Sequence, residues 1–188
     1  MNDLSLIKQY KTGDKDAFSV LYQKYIEKIY KFVFYKTMHK ETAEDLTSTV
    51  FFKALDKIET FEGKKAKFQT WLYNIARNTV IDYYRTKKPN VDVEDFWGIA
   101  DENHLETTID SNLKIEEVKK YLQTLNPEQR EIVILRIWEG LSYKEISEIV
   151  GKSENACKVT FSRTVSKLKD NVLLIIIFGQ MVNHIFEN

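Results

Sequence analysis

Glycine and proline are scarce in this 188-residue chain, at 6 and 2 residues. Sandwiches and barrels need many turns, so the shortage favours helices. The one cysteine, Cys157, excludes an internal disulfide and fits a reducing compartment. His39, His104 and His184 are scattered without ligand spacing, so with a lone cysteine no metal set is expected. His39 and His104 read as solvated loop residues. No P-loop or nucleophile motif occurs, which makes a hydrolase or metalloenzyme a poor reading. No catalytic residue, cofactor or small-molecule substrate is expected. No apolar run reaches the roughly 18 residues of a membrane span. The nearest is Val172–Phe178, so stable membrane insertion is not expected. The start, MNDLSLIKQYK, lacks the apolar centre of a signal peptide, which points to the cytoplasm.

Net charge is absent too, but the zero hides three different stretches. Residues 1–88 carry 17 Lys+Arg and 11 Asp+Glu, a net +6. Residues 89–112 carry seven acids and no base, a net −7. Residues 113–188 carry 11 bases and 10 acids, a net +1. A basic part, an acidic connector and a near-neutral part predict separate jobs.

What the chain has is helical periodicity. Asp14–Tyr35 repeats Phe18, Leu21, Tyr22, Tyr25, Ile29, Phe32 and Val33 at spacings of three and four, with Asp14 as the expected N-cap. A shorter helix is predicted over Leu4–Lys11, and a third over Glu41–Lys57 with Leu46, Val50, Ala54 and Ile58 on one stripe. TFEGKKAK, at 60–67, reads as a basic loop. Phe68–Arg85 is a fourth helix. Lys88–Asn112 is aperiodic and acidic, a linker in which Phe96 and Trp97 stand out. Helical pattern returns after Leu113. Asn126-Pro127-Glu128-Gln129 is a strong start, and Ser142-Tyr143-Lys144-Glu145 reads as a capping box. Gly151 suits a left-handed stop before a helix capped by Ser153. The expected fold class is all-α, two helical domains on an acidic linker.

Three stretches carry chemistry. The pair in Ser142–Lys169 is spaced as a helix-turn-helix, with a predicted seam of Ile146, Ile149, Val150, Cys157, Phe161 and Val165. Its second helix would present Lys158, Val159, Ser162 and Arg163, with Lys167 and Lys169 further on, to a major groove. A solvated hairpin face is the plainer alternative, and Cys157 reads as packing. The Glu41–Ile58 helix turns Asp45, Thr49, Phe52 and Lys53 outward, which reads as a docking face or an ordinary surface. Phe68–Arg85 mixes rings, amides and guanidinium groups. A core helix with a polar face would explain it, and so would a surface for unstacked bases, with Lys64, Lys65 and Lys67 tracking phosphates while Trp71 and Tyr73 meet bases.

Together, AFSVLYQKY (17–25), AEDLTSTVFFKAL (43–55), FQTWLYNIARNTVIDYYR (68–85) and the stretch 125–169 resemble the sigma-70 superfamily of bacterial transcription initiation factors. The nearest pattern is the two-domain extracytoplasmic-function group. The resemblance implies a sigma-2 domain at 1–87, an acidic linker at 88–112, a sigma-4 domain at 113–170 and an apolar extension at 171–188. It implies core RNA polymerase as partner, through the β′ clamp helices and the β flap. Asp45, Leu46, Thr49, Phe52 and Lys53 would make the docking contact. Lys64, Lys65, Lys67, Trp71 and Asn78 would melt and hold the −10 element of promoter DNA, with Asn78 at the pocket for a flipped base. Lys158, Val159, Ser162, Arg163 and Lys167 would read the −35 element. The family also includes members held by an anti-sigma factor, a partner this sequence does not name. A stand-alone helix-turn-helix regulator is the alternative function.

Two departures stand out. Ser48-Thr49 replaces the family's usual Gln-Glu on the docking helix. Val159 and Thr160 replace Ser and Arg on the recognition helix, which predicts more apolar contact with thymine methyls. The linker's charge resembles that of nucleic acid and suits a basic channel. The tail, NVLLIIIFGQMVNHIFEN, is apolar where the family usually stops. It is expected first to pack on its own chain and restrain the two DNA-reading domains in the free protein; a protein partner is the second reading and interfacial membrane contact the third.

Overall fold

The computed structural model describes residues 2–63, 66–87 and 120–166. Every regular element among them is helical. The chain divides into two compact units, Met1–Pro89 and Asn90–Asn188. Lys64, Lys65, Lys167, Lys169, the acidic stretch with Phe96, Trp97 and His104, and the apolar tail with His184 lie outside the described residues.

In the first unit, α1 (Asp3–Lys11), α2 (Asp16–Thr37), α3 (Lys40–Lys57), a 3-10 turn (Ile58–Thr60) and α4 (Phe68–Lys87) follow in order. Asn2 caps α1, its side chain accepting from Ser5 N at 2.8 Å. Asp14 is not the N-cap of α2. Helical backbone begins two residues later, and the Asp14 carboxylate accepts from Asp16 N at 3.1 Å. Gly13 takes φ 108° in the intervening turn. Met38 closes α2 in the left-handed region, φ 53°, its N–H donating to Phe34 O at 2.7 Å. His39 is not a solvated loop residue. It is half-buried and caps α3, with Nδ1 accepting from Thr42 N at 3.2 Å.

α2, α3 and α4 each touch the other two, and α1 lies on α2. Their core holds Ile29, Phe32, Val50, Leu72 and Tyr73 with almost no exposure. The Phe32 ring meets Tyr73 edge-on at 5.2 Å, and Tyr25 meets Phe68 at 5.6 Å. Each such pair adds about 0.5–1.5 kcal/mol to area burial. Tyr22, expected on the apolar stripe, is exposed at the rim, with its ring edge-on to Phe51 at 4.8 Å.

The second unit is helical over 120–124 (α5), then α6 (Pro127–Ile137), α7 (Tyr143–Val150) and α8 (Glu154–Ser166). α6 is buried nearly all round its second half, at Ile132, Val133, Ile134, Leu135 and Ile137, as a central helix is. Both capping boxes form. Asn126 Oδ1 accepts from Gln129 N at 2.9 Å, and Glu145 Oε2 accepts from Ser142 N at 2.8 Å. Arg130 is buried, with Nε donating to Leu122 O at 2.7 Å, which satisfies the end of α5. Gly151 takes φ 73° between α7 and α8. Ser153 Oγ accepts from Ala156 N at 3.2 Å and caps α8.

The seam differs from the expected one at several positions. Ile146, Ile149 and Cys157 are buried, but Val150, Phe161 and Val165 are only half-buried. Thr164 closes the seam instead. Its Oγ1 donates to Thr160 O at 2.8 Å, and its carbonyl accepts from Tyr121 OH at 3.1 Å. Burial, with the Glu128 charge nearby, pushes the Cys157 thiol above its ordinary pKa, so it acts as a packed residue and not as a nucleophile.

Among the described residues no helix is long and apolar enough to cross a membrane. Nor does any group of three or more His, Cys, Asp or Glu among them suit a metal ion.

Candidate nucleic-acid interface

α4 divides by face. Phe68, Leu72, Tyr73, Ala76, Thr79 and Val80 are buried, while Lys67, Asn78 and Arg85 are exposed and Trp71 is half-buried. Trp71, Asn78 and Arg85 recur at seven residues, so they share a stripe with about 10 Å between successive members. Tyr73 does not belong to it. The two residues separating it from Trp71 turn it by about 200° into the core, at 0% exposure. Asn74 lies on the open side, but its amide donates to Thr70 O at 3.1 Å. Asn78 is therefore the amide that stands clear. The Trp71 ring is backed by Phe61 at 5.2 Å and Phe68 at 5.5 Å, which leaves one side to solvent. Phe61 sits in a loop-like stretch that local pattern does not mark as structural; its only signal is an aromatic two residues before Gly63.

On α3, Asp45 is exposed, Thr49 half-buried, and Phe52 is 73% exposed, more than any other large apolar residue described. Leu46 faces inward at 8% exposure, so it packs the core and cannot present a docking side chain. Lys53 is not simply outward. Its ammonium donates to Thr79 Oγ1 at 3.2 Å and pairs with Asp82 at 3.6 Å, tying α3 to α4. Thr47, Ser48 and Thr49 each donate a hydroxyl to the carbonyl four residues back, at 2.6, 3.1 and 2.9 Å. The hydroxyls of Ser48 and Thr49, where the resemblance leads one to expect Gln-Glu, are thus turned onto their own helix.

On α8, Lys158, Val159, Ser162 and Arg163 are all exposed, opposite the buried Cys157 and Thr164. Asn155, which sequence reading passed over, is exposed one turn earlier on the same face. Lys152, in the turn, pairs with Glu128 of α6 at 3.4 Å, both side chains open to solvent.

The chain matches Sigma-70 region 2 over residues 21–89 and Sigma-70, region 4 over residues 115–168. It is 34% identical to the ECF RNA polymerase sigma factor BldN of Streptomyces coelicolor over 88% of this chain, and spans 64% of the length of BldN. It is 33% identical to the RNA polymerase sigma factor YlaC of Bacillus subtilis, over 84% of this chain and 93% of YlaC. Among solved structures, the sigma factor RpoE of Bartonella quintana, crystallised with the anti-sigma factor NepR, gives a TM-score of 0.66 at 27% identity, covering 84% and 96% of the two chains. With region 2 spanning α3 and α4 and region 4 spanning the helix-turn-helix, the chain belongs to the sigma-70 family, as an RNA polymerase sigma factor of the extracytoplasmic-function type.

Proposed function

We propose that residues 1–87 act as the sigma-2 domain, docking on core polymerase through Asp45, Thr49 and Phe52 and holding the opened −10 strand along Trp71 and Asn78. Residues 113–170 act as the sigma-4 domain and read the −35 element through Lys158, Val159, Ser162 and Arg163, with Asn155 as a further reader. Residues 88–112 connect the two. The protein works in the cytoplasm and catalyses no reaction of its own. The observation that carries this reading is the two-faced α4, one side sealed into the core and the other a stripe of ring, amide and guanidinium. An amide can pair a base edge, and a backed ring can stack on a base. RpoE bound to NepR supplies the precedent for an anti-sigma partner.

Co-purification with bacterial core RNA polymerase tests the docking. Wild type should be retained, and Phe52→Ser should lose at least about fivefold in affinity, as a truncated interface anchor does. Wild type that binds DNA but not polymerase would favour a stand-alone regulator.

A further inference from the structure

We infer that Lys11, on α1, is a positioning residue for the strand-holding ring of Trp71, an inference that rests on the reading of α4 above. The Lys11 ammonium donates to Glu59 O at 2.7 Å and to Phe61 O at 3.0 Å, across some 50 residues of sequence. Glu59 lies within the 3-10 turn and Phe61 just after it, where the chain leaves regular structure and carbonyls lack ladder partners. One charged donor on two carbonyls fixes the path of that segment more firmly than a neutral bond would. The path matters because it aims the Phe61 side chain. Phe61 is buried at 6% exposure and meets both Phe68 at 5.7 Å and Trp71 at 5.2 Å.

The other end of α1 converges on the same rings. Asp3 Oδ1 accepts from Lys24 Nζ at 2.6 Å, and Asp3 Oδ2 accepts from Tyr25 OH. Tyr25 in turn meets Phe68 edge-on at 5.6 Å. So α1 is pinned at one end to the helix behind Phe68 and at the other to the backbone that carries Phe61. A half-buried Trp needs such backing, since a base stacks well only on a ring that keeps its plane. Gly63 has a lesser part. A Cβ there would overlap a Leu4 methyl, but that methyl is the end of a half-exposed, flexible side chain and can swing aside.

The test uses the full chain reconstituted with core polymerase. The promoter fragment is taken from transcripts that the overexpressed chain induces, and strand opening is read by permanganate reactivity of unpaired thymines. Trp71→Ala should reduce opening roughly 5- to 150-fold, the value of one stacked base. Lys11→Met should reduce it at least about threefold, while polymerase affinity stays within about twofold, because a ring that tilts loses part of that stacking. Lys11→Arg should restore it, since a guanidinium also donates to two carbonyls. In a Trp97→Phe, Trp138→Phe background, Lys11→Met should shift Trp71 emission to the red and raise acrylamide quenching, and Lys11→Arg should reverse both. If Lys11→Met folds poorly, Phe61→Leu keeps the clamp and removes the backing ring, and should show the same loss of opening. Normal opening in Lys11→Met or Phe61→Leu beside impaired opening in Trp71→Ala overturns the role of Lys11. Normal opening in Trp71→Ala overturns the reading of α4 instead, and unchanged Trp71 emission in Lys11→Met then rejects the positioning role as well.

Discussion

Lys53 Nζ donates to Thr79 Oγ1 across 3.2 Å, so α3, the proposed docking helix, is joined by one side chain to α4, the proposed strand-holding helix. Asp82 completes the arrangement at 3.6 Å, with both charged groups more than a third exposed. Water and salt screen such a pair, so Lys53→Met should cost less than about 1 kcal/mol in urea unfolding. Because the ammonium is already engaged by α4, the same variant should weaken polymerase retention less than Phe52→Ser. Equal losses would mean that Lys53 releases α4 on docking and contacts polymerase itself.

The two amides on the open side of α4 should behave differently. Asn78→Ala should slow open-complex formation while leaving polymerase binding near wild type. Asn74→Ala removes a bond to Thr70 O and should change neither opening nor polymerase binding. Permanganate footprinting beside a retention assay separates the outcomes, and equal loss in both assays for Asn78→Ala would refute its role.

For the second unit, Arg163→Ala should weaken promoter-specific binding by about 1–3 kcal/mol if the guanidinium reads a base, and all DNA binding alike if it meets phosphate. Titrations with promoter and scrambled duplexes at two salt concentrations decide between the two.

Two buried side chains of α4 should give opposite results in thermal unfolding. Tyr73→Ala removes a ring packed on Phe32 and should cost about 3–5 kcal/mol. Thr70 Oγ1 is buried with no hydrogen-bond partner among the described residues. Thr70→Val replaces an unsatisfied hydroxyl with a methyl and should be neutral or stabilising.

Tyr25 makes stability depend on alkaline pH. Burial first, then its bond to Asp3 and that carboxylate's charge, holds the phenol well above its ordinary value of 10.0. A raised pKa means that the folded state keeps the proton longer, so this contribution is intact below pH 10 and falls as pH rises beyond it. The melting temperature should drop above pH 10, and Tyr25→Phe should flatten that part of the curve.

Much of this could be read from sequence where the cause was local. Asn126, Ser142, Gly151 and Ser153 took their expected capping roles because a cap is decided within three or four residues. The exposure of Lys158, Val159, Ser162 and Arg163 followed from the helical period once Cys157 was set inward. Errors came where a residue type serves two ends. Tyr73 was paired with Trp71 for its ring, although two positions along a helix point nearly opposite ways. Leu46 was given both to the core stripe and to the docking face, and packing kept it inside. His39 went unseen as a cap because an imidazole nitrogen is not among the usual capping acceptors. The link from Lys11 to Phe61 joins residues 50 apart, and no local pattern announces it.

The hydroxyls of Thr47, Ser48 and Thr49, folded back on α3, leave the Phe52 ring as the largest group that helix offers a partner. An encounter on this surface would have a calorimetric character of its own: a markedly negative heat-capacity change, and less dependence on ionic strength than a further glutamate there would bring. A chain carrying glutamine and glutamate there would bind with more enthalpy and more sensitivity to salt. Between two such initiation factors competing for one polymerase, a rise in ionic strength would therefore favour this one.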